Sequence, residues 1–159
     1  PNKEIRVGLY RSLLPNYIGM NTVKGTTTIA KMSALIRRND MDGAMQMLQA
    51  YLATIPYCNN ADSEGHYQQM MYVIFSILDN YVDVEVRTPS GRVDMVLRTA
   101  THLYLFELKL NKDADAAMKQ INLKEYPKRF ALSGLPIVKV GVNFDVATHN
   151  ITDWKIEHE

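Results

Sequence analysis

From Leu103 to Leu110 the chain reads Leu-Tyr-Leu-Phe-Glu-Leu-Lys-Leu, and this stretch limits the fold more than any other. Side chains alternate between the two faces of a strand, so a run that is apolar at both odd and even positions must bury both faces. Such strands sit in the middle of a sheet covered by helices on each side. Val93 to Arg98 reads the same way. Two charges interrupt the longer run, Glu107 and Lys109. At a spacing of two they point to one face, inside what is otherwise a dry strand.

The flanking sequence supplies the covering helices. Ile5, Leu9 and Leu13 recur every four residues before Pro15. A second helix is expected after caps at Thr26 to Thr28, with Ile29, Met32 and Ile36 as its apolar stripe and Arg37 and Arg38 at its negative end. Asp40 or Asp42 starts a third, carried by Met41, Ala44, Met45, Leu48, Tyr51 and Leu52 up to Pro56. Residues 58–63 read as a loop. Residues 64–79 give a helix with Tyr67, Met71, Ile74 and Leu78 on one face, which Glu64 shares. The period then changes to two at Val82 and Val84, Pro89 to Gly91 makes a turn, and the two apolar strands follow. A helix capped by Asp113 runs to about Glu125, and Ile137 to Phe144 and Ile151 to Ile156 form the last strands. The expected organisation is one α/β domain, with a helical N-terminal part over residues 1–57 and an α/β core over 64–159.

A four-residue hairpin loop at Thr99 to His102 sets Arg98 opposite Leu103 and Asp94 opposite Glu107. Residues directly opposed in this way share a face, with Cβ atoms about 4.5–5.5 Å apart. Asp94, Glu107 and Lys109 then converge. Two carboxylates this close repel in a dry setting, and a divalent cation would neutralise them. Oxygen-only ligands favour Mg2+ or Mn2+. Such an ion polarises a phosphoryl oxygen and acidifies water, while the Lys109 ammonium orients that water or stabilises developing charge. This is chemistry for cutting a phosphodiester.

An acidic residue on one strand and Glu-x-Lys on the next resembles the active site of the PD-(D/E)XK nuclease superfamily, here Asp94, Glu107 and Lys109, with Val93 in place of the proline. Gly91-Arg92-x-Asp94, the strand from Tyr104 to Lys109, Gln120-Ile121 and the run from Val140 to Phe144 look like one branch, in which a nuclease-like domain follows an AAA-ATPase-like module. Pro1 to Arg6 look like the segment leading out of that module. The resemblance implies a restriction-endonuclease-like mixed central sheet flanked by helices, a metal-dependent nuclease acting on DNA, or on RNA, and an ATPase-like partner. It also implies that Glu64 adds an acidic metal ligand and that Gln120 assists. Basic residues near this site, Arg87, Arg92, Arg98, Lys112, Lys119, Lys124, Lys128 and Arg129, are candidates for a phosphate track, with Arg92, Lys119 and Lys124 foremost and Asp113, Asp115 and Glu125 interleaved among them.

Composition removes several other classes. The net charge is +1, so polyanion binding must come from a local patch. The one cysteine, Cys58, excludes an intrachain disulfide and suits a cytoplasmic protein. The longest apolar run, Met70 to Phe75, is too short to span a bilayer. With Pro1 at its start, the chain is expected to be a piece of a longer protein. His66 and His102 sit beside a helix start and a turn, and the nine methionines read as core filler or as an interface to another module. Two alternatives stay open: an Asp94, Glu107 and Lys109 ion-pair network in an inert module that binds nucleic acid or protein, and an assembly piece docking through its N-terminal helices. Oligomeric state is open as well.

Overall fold

The computed structural model describes residues 22–54, 74–87, 92–123, 133–145 and 147–158. The helix expected around Ile5 to Leu13, the loop with Cys58 and most of the helix over 64–79 lie outside them, as do Glu64, His66 and Lys124.

Two helices open the described chain, α1 (Thr22–Arg37) and α2 (Met41–Ala53). On α1, Ile29, Met32 and Ile36 are buried at the expected three- and four-residue steps. The cap expected at Thr26 to Thr28 is corrected: those residues lie inside α1, which begins at Thr22. Threonine lowers helix propensity by well under 1 kcal/mol, too little to stop a helix whose next turns are buried. Asn39, at φ 61°, closes α1, and Asp40 caps α2 by accepting the Gly43 N–H at 2.9 Å. That bond satisfies one of the orphan donors of the first turn. All six apolar residues expected on α2 are buried.

Residues 74–78 form a helical turn of buried side chains, after which the strands begin. They are β1 (Asp83–Arg87), β2 (Arg92–Arg98), β3 (Leu103–Leu110), β4 (Ile137–Asp145) and β5 (Asn150–His158). Helix α3 (Ala114–Leu123) lies between β3 and β4. The strands make one five-stranded sheet in the order β1-β2-β3-β4-β5. All neighbours are antiparallel except β3 and β4, which are parallel. A parallel pair cannot be joined by a tight turn, so α3 serves as the crossover. The fold is the expected mixed sheet flanked by helices.

Each face of the sheet has its own core. Tyr104, Phe106 and Leu108 of β3, with Met95, Leu97, Val140, Val142 and Phe144, pack against α1, α2 and residues 74–78. The rings of Phe75 and Phe106 stand 6.2 Å apart. The opposite face packs Leu103, Leu105 and Ile137 under Met118 and Ile121 of α3. Met32, Met41, Met45, Met95 and Met118 are buried, so these methionines fill the core. Trp154 is half-buried against it and donates Nε1–H to Asp42 at 2.8 Å.

Burial also gives the first core a pH limit. Burial pushes the phenols of Tyr51 and Tyr104 up to about 12, from 10.0 in water. The Tyr104 hydroxyl lies against Asn39 Oδ1 and the Ile36 carbonyl. A phenol that ionises later in the folded than in the unfolded state contributes stability that is complete below pH 10 and lost as pH rises towards 12. The melting temperature is therefore expected to fall steeply over that window, and less so in Tyr104→Phe. Equal slopes in both proteins would contradict this role for Tyr104.

Candidate active site

The hairpin between β2 and β3 sets the geometry. The Thr99 N–H donates to the His102 carbonyl at 3.0 Å, closing the four-residue loop. His102 belongs to that turn, its Nδ1 lying 2.8 Å from Thr101 Oγ1. From this closure the register follows as expected: Arg98 pairs with Leu103, Asp94 with Glu107 and Arg92 with Lys109. Asp94 and Glu107 are thus direct cross-strand neighbours on the face that α3 covers.

Both carboxylates are buried, Asp94 at 5% and Glu107 at 0% exposure. Both make further contacts, and one buried oxygen of each, Asp94 Oδ1 and Glu107 Oε1, accepts no hydrogen bond among the described residues. Lys109 Nζ lies 3.9 Å from Glu107 Oε1, and its side chain keeps 21% exposure. The triad therefore runs from a dry interior at Asp94 and Glu107 to a wet edge at Lys109. Desolvated carboxylates are costly unless cations compensate them, and Lys109, 3.9 Å from Glu107 Oε1, supplies one such charge.

The donor set fits a hard divalent cation. Mg2+ is commonly held by one or two carboxylates, with water and substrate phosphate completing its shell. Asp94 and Glu107 are the residues that would hold it. Among the described residues no third His, Cys, Asp or Glu joins them in a cluster, and Glu64, expected as an acidic ligand, lies outside those residues.

The parallel partner β4 completes the floor. Glu107 is in register with Gly141 and Lys109 with Asn143. A Cβ on Gly141 would lie 2.8 Å from the Ala114 carbonyl oxygen and 2.9 Å from the Met118 nitrogen, so the missing side chain is what lets α3 settle onto the sheet beside Glu107. Asn143, only 4% exposed, accepts the Lys112 N–H at 2.8 Å and donates to Thr152 Oγ1 at 2.8 Å. Thr152 donates to Asp153 Oδ1 at 2.8 Å, and Asp153 Oδ2 accepts the Ala114 N–H at 2.9 Å. One chain of hydrogen bonds thus ties the segment after Lys109 to the start of α3. Asn143 and Asp153 carry no motif, yet a lone Asn inside the apolar run Ile137 to Phe144 is a local signal that could have marked the first of them.

The remaining candidates fall into separate places. Gln120 is half-buried on α3. Lys119 is exposed on α3, with Asp113 capping the helix through the Ala116 N–H at 2.7 Å. Arg92 begins β2 opposite Lys109. Lys139 and Lys155 are engaged in packing α3, through Asn122 at 2.9 Å and Asp115 at 3.0 Å. Hydrogen bonding and attraction to Asp115 raise the Lys155 ammonium above its ordinary pKa.

A family profile described as the PD-(D/E)XK nuclease superfamily matches residues 62–154, more than half of the chain. A protein of Azotobacter chroococcum mcd 1, named "Uncharacterized protein in vnfD 5'region", is 31% identical over 164 residues. That match covers 99% of this chain and 32% of the relative, so the chain spans about a third of the relative's length.

Proposed function

The chain belongs to the PD-(D/E)XK nuclease superfamily, and on that basis we propose that it is a metal-dependent phosphodiesterase that hydrolyses DNA. The observation that carries this reading is the register of Asp94 with Glu107, both buried, next to a Lys109 that reaches the solvent edge. Asp94 and Glu107 would hold Mg2+ or Mn2+, with Glu64 as a third acidic ligand. Such a cation would supply positive charge that polarises a phosphoryl oxygen and acidifies water.

The chain's own side chains do the rest. Lys109, with its Nζ 3.9 Å from Glu107 Oε1, donates hydrogen bonds that orient the attacking water. The water's oxygen joins phosphorus, one P–O ester bond breaks, and the leaving oxygen takes up a proton, giving an alcohol and a phosphomonoester. Gln120 assists from α3. Arg92, Lys119 and Lys124 contact phosphates of the bound strand. RNA, which carries the same phosphodiester, is the alternative substrate.

Two finer statements belong to the same proposal. The likeness of Pro1 to Arg6 and of Val140 to Phe144 supports the branch in which an AAA-ATPase-like module accompanies the nuclease-like domain. A cytoplasmic location accords with the single cysteine. Among the described residues no helix is long and apolar enough to cross a membrane.

The test is metal linkage. A cation that binds only the folded state at 100 times its Kd adds about 2.7 kcal/mol, which for a chain of this size is roughly 5–10 °C in Tm. Mn2+ is expected to raise the Tm of the wild type by that amount and to leave Asp94→Asn unchanged. A wild type that does not respond to either ion would overturn the metal site and favour an inert module built on the Glu107 and Lys109 ion pair.

A further inference from the structure

Among the described residues, the active-site face is open at one end. Along β3, exposure rises from Leu105 and Glu107, both 0%, to the Lys109 side chain at 21%. Asn111 and Lys112 are exposed. In the other direction α3 closes the face, with Met118 and Ile121 on Leu103 and Leu105. Among the described residues, Lys109 is therefore approachable from the side of Lys112 and covered towards the hairpin at Thr99 to His102.

That side carries a cavity of about 700 Å³ lined by Asn111, Lys112, Asn143, Asp145, Ala147 and Thr152. This is the size range of small-ligand sites. One of its lining residues, Asn143, is the register partner of Lys109. Its wall is pre-formed. Buried Asn143 accepts the Lys112 N–H and donates to Thr152, each at 2.8 Å, so the Lys112 backbone is fixed three residues beyond Lys109. Asn111 holds a left-handed φ of 54° where the chain leaves β3. Across the cavity, Asp145 is held in the β4–β5 turn by the Ala147 N–H at 3.1 Å.

We propose that this cavity is the subsite for the nucleotide flanking the cleaved bond, with Lys112 contacting its phosphate. The inference rests on the nuclease reading above and adds the path of the strand. The lining explains its chemistry: one ammonium for one phosphate, and amide and hydroxyl groups for sugar or base edges. Asp145 opposes the bound polyanion, so the cavity holds a strand in register without binding it tightly. The same geometry sets Arg98, beside the hairpin loop, off this path.

The experiment measures binding of labelled 20-nucleotide single-stranded and duplex DNA in EDTA across a KCl series, beside cleavage by the wild type in Mn2+. Lys112→Ala is expected to weaken binding roughly three- to tenfold at low salt and to reduce the log–log salt slope by about 0.7–0.9, one phosphate's worth. Asp145→Asn, which keeps the acceptor oxygen for Ala147, is expected to tighten binding about two- to threefold. Arg98→Ala is expected to bind like the wild type, and matched Tm values confirm folding of all three. A wild type that binds and cuts, with Lys112→Ala and Asp145→Asn indistinguishable from it, would overturn the subsite and leave the nuclease reading standing. Equal losses in Lys112→Ala and Arg98→Ala would also overturn it, since a diffuse field then accounts for binding. A wild type that neither binds nor cuts would overturn the nuclease reading and the subsite together.

Discussion

Lys109→Ala is expected to cut DNA roughly 10²–10³-fold more slowly than the wild type, the loss typical of removing one preorganised donor at a reacting centre. The loss should fall on kcat and leave KM nearly unchanged, because Lys109 acts on the water and the reacting phosphate and not on the body of the strand. Its Nζ is 3.9 Å from Glu107 Oε1 in the resting protein, so the variant also removes a cation set against a buried carboxylate. The metal-free Tm should therefore drop, and Mn2+ should restore more stability to Lys109→Ala than it adds to the wild type. Lys109→Arg is not expected to rescue the rate, since a planar fork does not reproduce a compact ammonium. A variant that keeps full kcat would remove Lys109 from the reaction.

Gly141→Val carries the second large effect, and it acts through packing. Atoms added at this position meet the Ala114 carbonyl at 2.8 Å and the Met118 nitrogen at 2.9 Å. These are backbone atoms of α3 that cannot rotate away. The helix must lift from the sheet or the sheet must bend, at a cost of about 3 kcal/mol, the upper end for overpacked cores. That corresponds to roughly 6–12 °C in Tm. Activity should fall even at temperatures where the variant is folded, because Gly141 is the register neighbour of Glu107. Gly134→Ala is the contrast. Its φ of 75° disfavours a side chain but nothing lies within 4 Å of the added carbon, so it should cost only the backbone term of about 1–2 kcal/mol and spare the activity. Equal Tm losses at the two glycines would show that the α3 approach is not as tight as its geometry indicates.

The site was legible where its causes are local. The β2–β3 register follows from two apolar runs and a four-residue loop, and it alone brings Asp94 opposite Glu107. The Asp40 and Asp113 caps were legible for the same reason, as short polar side chains three residues before the N–H they accept. Gly141 and Asn143 were not assigned a role in the sequence, although they stand beside Glu107 and Lys109. Their placement depends on a parallel pairing made through the whole α3 crossover, and no short window encodes that register. The start of α1 was misplaced because three successive threonines look like caps, while burial of the following turns carries the helix through them. The basic residues illustrate a third limit: sequence collects Arg98 and Lys112 near the triad, and only the closure of one end by α3 separates them.

If Asp94 and Glu107 form a cation site that cuts phosphodiesters, cleavage of labelled single-stranded, duplex and branched DNA, and of RNA, by the wild type and Glu107→Gln, each in Mn2+ and in EDTA, will show it. The wild type is expected to cut only with the metal, and Glu107→Gln is expected not to cut at matched folding. Cutting that survives EDTA or survives the substitution, or no cutting of any substrate by the wild type in Mn2+, would contradict the cation site.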